Sequence, residues 1–367
     1  MNRKPSFVES PTVVLTGAGA SVLLGKDTTK QFVQRCLESS QKAFLLQGIL
    51  RSIKKRSRTS EVDIEMILDY LVELIGAYDI LKSDEEIGPK IGSGGASFAS
   101  RIAPITGLAD AAGISEFINS PDYLISERRT LQEELLGFIV DHYCEVDDDA
   151  ALRLYRPLFG ADSFSFHPIP LFTLNYDVAV EAAVDASDGE FELVDGFPKN
   201  KSQRRWSPDV FRDYQPRHLG PTREIILFKL HGSTTWGRRK GSEIIVPLPL
   251  AQRRNPEPYE HVIMYPSQTK LGLEGEPFAT AYSYFAECLE NTRTCLVIGT
   301  SFRDREINKT FQEALRRSSK LHLVVVGPAV ESALVSRILR CDESRITAIQ
   351  GGFGDPMVYD AISKALL

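Results

Sequence analysis

No run of about 18 apolar residues occurs in this chain, so nothing in it is long enough to cross a bilayer as a helix. The N-terminal "MNRKPSFVES" leads into a candidate strand without an apolar signal core, which argues against secretion. Cysteine is scarce and scattered: Cys36, Cys144, Cys288, Cys295 and Cys341 are odd in number, which fits reduced cytoplasmic thiols and not a disulfide framework. No two cysteines stand in a C-x-x-C pair, so a structural zinc built from cysteine pairs is not expected. Positive charge is also short. The 43 Lys and Arg against 49 Asp and Glu leave a formal net charge of −6, which argues against direct nucleic-acid binding. The two basic stretches, Lys54–Arg58 ("KKRSR", read as a solvated loop) and Arg238–Lys240, are too small to reverse that. No internal repeat at solenoid spacing is visible.

What is present is an ordinary globular composition, 43% apolar and 25% charged, in 367 residues. That length exceeds a usual single core, so an inserted or second domain is expected. Thr12–Thr16, Pro170–Leu174, Ile225–Leu230, Thr294–Ile298 and Leu321–Val326 are short, nearly continuous apolar runs. Such runs suit strands covered on both faces, hence a parallel sheet between helices. Helical patterns alternate with them, as in "DVAVEAAVDA" and "DREINKTFQEALRRSS". The expected fold is α/β, a Rossmann-like doubly wound parallel sheet with a helical insertion and no zinc module.

The middle of the chain breaks the strand–helix rhythm. Ile64, Ile67, Leu68, Leu71, Leu74 and Ile75 recur at helical spacing, with Ser60 and Asp63 resembling a capping box ahead of them. Leu131, Leu135, Phe138, Ile139 and His142 repeat the pattern, and the Gly/Ser/Ala-rich residues 91–113 between the two read as loop. The expected boundaries are a core of 1–35 and 165–367 and a mostly helical insertion of 36–164.

In doubly wound sheets ligands meet the carboxyl ends of the strands. After the first strand stand Gly17, Ala18, Gly19, Ala20 and Ser21, either a tight turn or a loop that lets backbone N–H groups approach a pyrophosphate. A third glycine of the dinucleotide pattern is replaced by Val22, and no acidic residue follows a second strand about 20 residues on, which disfavours a nicotinamide dehydrogenase. The second strand ends in Thr173, Asn175, Tyr176 and Asp177. Asp177 either caps the next helix or faces a ligand; Asn175 has no capping duty at its position. Next comes His231-Gly232-Ser233, the one histidine of six that closes an apolar strand, with a side chain suited to accepting a proton near neutral pH. His142, His167, His218, His261 and His322 receive no role. Gly299, Thr300 and Ser301 offer a second small-residue turn, Asp304 either caps a helix or meets the ligand, and Asn308 lies one turn further. Gly327, Gly351, Gly352 and Gly354 form late turns.

In this order, GAGAS, TLNYD, KLHGS and GTSFRD resemble the sirtuin-like superfamily, and within it the prokaryotic NAD-cleaving branch associated with antiphage defence. The resemblance covers roughly residues 10–35 and 165–330. It implies that Asn175, Asp177 and His231 are catalytic. It also implies that Gly17–Ser21, Thr28, Thr173, Gly232, Ser233, Gly299–Ser301, Asp304, Asn308 and Gly327 hold NAD, with no metal. Two departures stand out: the zinc-binding cysteine pairs are absent, and "GKDTTKQF" replaces the arginine-containing segment that follows the glycine loop in sirtuins proper. Water in place of acyl-lysine as acceptor is then expected, making a cytoplasmic NAD hydrolase. Alternatives are a deacylase or ADP-ribosyltransferase, or a non-catalytic sensor of NAD or ADP-ribose. The resemblance further implies a homo-oligomer and a HerA-type ATPase partner. No sensing domain is recognised after the core, so the sensor is expected to be another polypeptide or the assembly itself.

Overall fold

The computed structural model describes residues 5–57, 61–83, 121–162, 168–199, 204–216, 222–264 and 275–366. The loop expected at 91–113, together with Arg58, Ser60, His167 and His218, lies outside them. The strands are β1 Thr12–Thr16, β2 Ile169–Thr173, β3 Phe191–Val194, β4 Arg223–Lys229, β5 Gly232–Arg239, β6 Ile245–Pro247, β7 Tyr259–Ile263, β8 Thr294–Ile298, β9 His322–Gly327 and β10 Ile346–Gln350. The longer helices are α1 Thr29–Ser39, α2 Ala43–Ser57, α3 Ile64–Ser83, α4 Pro121–Tyr143 and α5 Asp148–Phe159. They continue with α6 Ala179–Asp185, α7 Phe278–Asn291, α8 Arg305–Arg317, α9 Ser332–Leu339 and α10 Pro356–Leu366. Two single-turn helices lie at Asp209–Arg212 and Leu250–Arg253.

Seven strands form one sheet in the order β10-β9-β8-β1-β2-β4-β3, every pairing parallel. The strands at its centre bury both faces, as their β-branched runs require. Alternate residues feed two cores. On one face Val13, Leu15, Phe172, Phe228 and Val297 pack with Phe285 of α7, Phe311 of α8 and Leu339 of α9. On the other, Val14, Leu171, Leu227, Leu296 and Val326 pack with Tyr155 of α5, Ala183 of α6 and Val358 of α10. Helices on both faces of a parallel sheet make the doubly wound architecture that the apolar runs predict. The sequence reading did not anticipate β3 and β10, both edge strands whose side chains are only partly buried, nor the antiparallel sheet β6-β5-β7.

The chain divides into two compact units, Met1–Lys26, Val140–Met264 and Lys270–Leu367 in one, and Asp27–Ile139 with Tyr265–Thr269 in the other. These boundaries differ from those read in the sequence. Helix α5 belongs to the sheet unit because Leu154, Tyr155, Leu158 and Phe159 are buried in its second core. Helix α1 falls in the helical unit. There Ile64, Ile67, Leu68, Leu71, Leu74 and Ile75 are all buried, as their spacing requires. The cap of α3 is Asp63, whose carboxylate accepts the Met66 N–H at 3.0 Å. Lys54, Lys55 and Arg56 form the last turn of α2 and not a loop, cations at a helix C-terminus being favourably placed. Among the described residues no helix is long and apolar enough to cross a membrane.

Just past β3, burial pushes the Asp195 carboxyl from its ordinary 3.8 up to about 6, against the opposing pull of the Phe197 N–H and Arg204. A raised folded pKa means the folded chain binds this proton more tightly than the unfolded one. The associated stability is therefore present below about pH 4 and is lost as pH rises through about 6. Asn at this position keeps an acceptor for Phe197 without the buried charge. Asp195→Asn is expected to be more stable than wild type at pH 8 by about 1–3 kcal/mol, the gap closing near pH 4. Urea unfolding at the two pH values measures this; equal stability at pH 8 would show that the carboxylate is adequately solvated.

Candidate active site

The sheet reverses its winding between β1 and β8: β2 follows on one side of β1, while β8 and β9 lie on the other. Connections leaving in opposite directions open a crevice at that point, beyond the carboxyl ends of the strands. Four segments meet there.

The first follows β1. Gly17 precedes a seven-residue 3-10 helix, Ala18–Leu24, closed by Gly25 at φ +73°. The Gly17 N–H donates to Ile298 O and the Gly19 N–H to Gly299 O, both at 2.9 Å, and Ala20 N–H donates to Gly17 O. Three of the N–H groups that the sequence reading aimed at a pyrophosphate are thus bonded within the protein. The glycines serve close packing of two turns: a Cβ on Gly19 would come within 2.7 Å of Gly299 Cα. Gly299 itself has φ +67°, in the left-handed region that glycine enters at no steric cost.

The second segment follows β2. Thr173 Oγ1 accepts the Asn175 N–H at 3.0 Å and shapes the turn. Asn175 Nδ2 donates to Gly17 O and to Ser21 Oγ, each at 3.1 Å. Both amide hydrogens therefore clamp the glycine turn, and Oδ1 is the atom this side chain can offer a ligand. Nearby, burial and then the Asp177 and Glu181 carboxylates push the Tyr155 hydroxyl well above its ordinary range. Asp177 Oδ1 accepts the Ala179 N–H at 3.0 Å in the turn that leads into α6, whose N-cap residue is Val178. The Asp177 backbone carbonyl accepts from Lys229, a buried lysine that also pairs with Glu181 at 3.0 Å.

The third segment joins β4 to β5. In register Thr173 stands beside Lys229, so Asn175 and His231 each lie two residues beyond one rung of adjacent parallel strands. His231 is buried and Gly232 turns at φ +83°; a Cβ there would meet Val262 O at 2.1 Å. Ser233 is fully buried and its hydroxyl bonds Thr235 at 2.9 Å, so it braces the second sheet.

The fourth follows β8. Gly299 N–H donates to Val326 O, Thr300 is half-buried and Ser301 exposed. Asp304 caps α8 through Oδ1, which accepts the Glu306 and Ile307 N–H groups at 2.8 and 3.0 Å. Its other oxygen, Oδ2, lies 2.9 Å from His231 Nε2. Asn308 Nδ2 donates to Phe302 O at 2.7 Å and pins the loop leading to that cap. Gly327 O accepts from Gly351 at the next strand end. Thr28 belongs to the helical unit, where it forms a reciprocal cap with Gln31 at the start of α1.

The segments after β1, β2, β4 and β8 are thus stitched together: Gly19 to Gly299, Asn175 to Gly17 and Ser21, Asp304 to His231. Residues 170–345, just under half of the chain, match the family model described as a SIR2-like domain. The chain carries a sirtuin-like domain. The match takes in Asn175, Asp177, His231 and Asp304 and leaves out the glycine turn, which the hydrogen bonds above tie to it. Among solved structures, a mutant Sir2 homologue with 2'-O-acetyl ADP-ribose aligns over 97% of this chain and 92% of its own, at 13% identity and a TM-score of 0.43. A Sir2 homologue–NAD complex aligns over 99% and 93%, at 12% identity and a TM-score of 0.42. Comparison with curated proteins finds no match. The assignment of the sirtuin-like domain rests on the family match and the fold on the strand order. Among the described residues no group of three or more His, Cys, Asp or Glu side chains is arranged to hold a metal ion.

Sequence reasoning missed Lys229, Tyr155 and the pairing of Asp304 with His231. Lys229 left a trace, a lone cation inside the apolar run "IILFKL". Tyr155 left none, since an aromatic in a helix seam reads as core.

Proposed function

We propose that this sirtuin-like domain hydrolyses NAD, cleaving the bond between nicotinamide and ribose to give nicotinamide and ADP-ribose. The single observation behind this reading is that a carboxylate-paired imidazole, His231, and the Asn175-clamped glycine turn both stand at the carboxyl ends of the central strands beside the switch point of the sheet. As the glycosidic bond breaks, its electron pair neutralises the pyridinium nitrogen and positive charge grows on the ribose. Water attacks the anomeric carbon and its proton passes to His231. Asn175 Oδ1 orients a ribose hydroxyl or the water, and the Asp177 carboxylate favours the developing positive charge. Preorganised dipoles in a site shielded from solvent act on that charge without reorganising. Rate is gained only where these contacts are stronger in the transition state than in the bound substrate. The sequence, with no C-x-x-C pair, lacks the zinc module that completes an acyl-lysine cleft in deacylases, which favours water as acceptor.

By the resemblance set out above, the proposed setting is the bacterial cytoplasm, where depletion of NAD would arrest a phage-infected cell. Activity would be released by homo-oligomerisation or by a HerA-type ATPase. The test is NAD consumption by the purified full chain, alone and with such a partner, without any acceptor, the products being identified by mass spectrometry. Stoichiometric nicotinamide and ADP-ribose are expected. NAD left intact until an acyl-lysine peptide or acceptor protein is added would mark a deacylase or transferase, and NAD bound but never consumed would mark a sensor.

A further inference from the structure

We propose that Asp304 is the positioning residue for His231, fixing one tautomer of the imidazole while it caps α8. The proposal rests on the reading of this site as a centre of NAD cleavage. A helix cap needs one acceptor oxygen, and serine or threonine supplies it as well as aspartate. Asp304 caps with Oδ1 alone and directs Oδ2 at His231 Nε2, 2.9 Å away. An ionised carboxylate only accepts hydrogen bonds, so Nε2 carries the ring hydrogen and the lone pair of the neutral imidazole belongs to Nδ1. Nδ1 is then the nitrogen that takes the proton from water.

The contact is no accident of neighbouring side chains. β8 and β4 are separated in the sheet by β1 and β2, so a bond between the residues that follow them closes over both intervening strand ends. The side chains of His231 and Asp304 are 1% and 8% exposed, where solvent and salt weaken their attraction little. The carboxylate is itself held from behind. Asn308, one turn into α8, donates to the carbonyl of Phe302, a residue at φ +53°, and so fixes the loop that delivers Asp304. The geometry of the base is thereby set by the first turn of a helix packed on the opposite half of the sheet.

Asp304→Asn separates the two duties. Its side-chain oxygen keeps the cap, at which Asn and Asp are equivalent. Its amide, turned to Nε2, donates where the carboxylate accepted and favours the opposite tautomer. In the full chain this variant is expected to melt within about 2 °C of wild type, while kcat for NAD cleavage falls about 10²–10³-fold and KM changes less than about threefold. Asp304→Ser, with a capping oxygen that does not reach the ring, should behave alike. Adding Asp304→Asn to His231→Ala should slow the reaction no further, because a residue acting through another adds nothing once that other is gone. Nitrogen-15 spectra of the histidine side chains supply a readout free of turnover: the His231 ring signals should exchange character in Asp304→Asn while the other histidines stay unchanged.

Wild-type kcat in Asp304→Asn, an additive double variant, or an unchanged His231 tautomer would each overturn the proposal. If the wild-type chain leaves NAD intact under all conditions the functional reading fails, and the tautomer measurement alone then decides the positioning role.

Discussion

His231→Ala is expected to reduce NAD cleavage about 10²–10⁴-fold, the range in which positioned acid–base groups contribute. Loss of the proton acceptor is one effect, and a second follows from the structure. Asp304 Oδ2 would lose the hydrogen bond from the ring in a site where the side chain is 8% exposed, and a buried acceptor that loses its donor is destabilising. Activity and folding must therefore be read apart, with melting temperature measured beside turnover. His231→Gln retains an N–H donor toward Asp304 and should lose the same activity with a smaller fall in stability. Asn175→Ala makes the contrasting case. It removes two hydrogen bonds to the glycine turn, each worth about 0.5–1.5 kcal/mol, so stability and activity should fall together. Near wild-type turnover in either His231 variant would remove the imidazole from the chemistry and with it the proposed mechanism.

The contrast between these two residues marks how far the sequence could be read. Both were legible as polar groups ending apolar strands, because burying an amide or an imidazole at such a place is unfavourable unless it is bonded or used. What they bond to was not legible. The amide of Asn175 meets Gly17 and Ser21, more than 150 positions away in the chain, and His231 meets Asp304 across two strands. Local spacing carries no trace of either contact. The central strands β1, β2, β8 and β9 could be found because burial on both faces forces continuous apolar residues. β3 and β10, at the sheet edges, mix apolar and polar side chains and resemble loops. The capping role of Asp304 was readable from its place before "REIN"; its second oxygen was not, since one carboxylate serving a helix and an imidazole looks the same in sequence as one serving the helix alone.

Gly299→Ala is a substitution expected to damage the fold strongly. Two effects act at this position. The residue sits at φ +67°, where a Cβ is disfavoured by about 1–2 kcal/mol. The added carbon would also lie 2.4 Å from Ala20 N, 2.5 Å from Gly19 C and 2.6 Å from Gly19 Cα. All three are backbone atoms, so no side chain can swing aside, and the two turns must separate. That breaks the Gly19 N–H bond to Gly299 O and loosens the Gly17 contact to Ile298. Overpacking of this kind adds about 1–3 kcal/mol. Together the terms give about 2–5 kcal/mol, or roughly 4–20 °C in melting temperature. Gly25→Ala isolates the first term: its φ is +73°, but a Cβ there meets nothing within 4 Å. The difference between the two variants measures the contact between turns, free of backbone preference. Activity should follow the same order, for the turn that Asn175 clamps is the one Gly299 supports. A Gly299→Ala protein melting together with Gly25→Ala would mean that the turns are not packed as tightly as described, and the switch-point crevice would then be wider than the site built upon it.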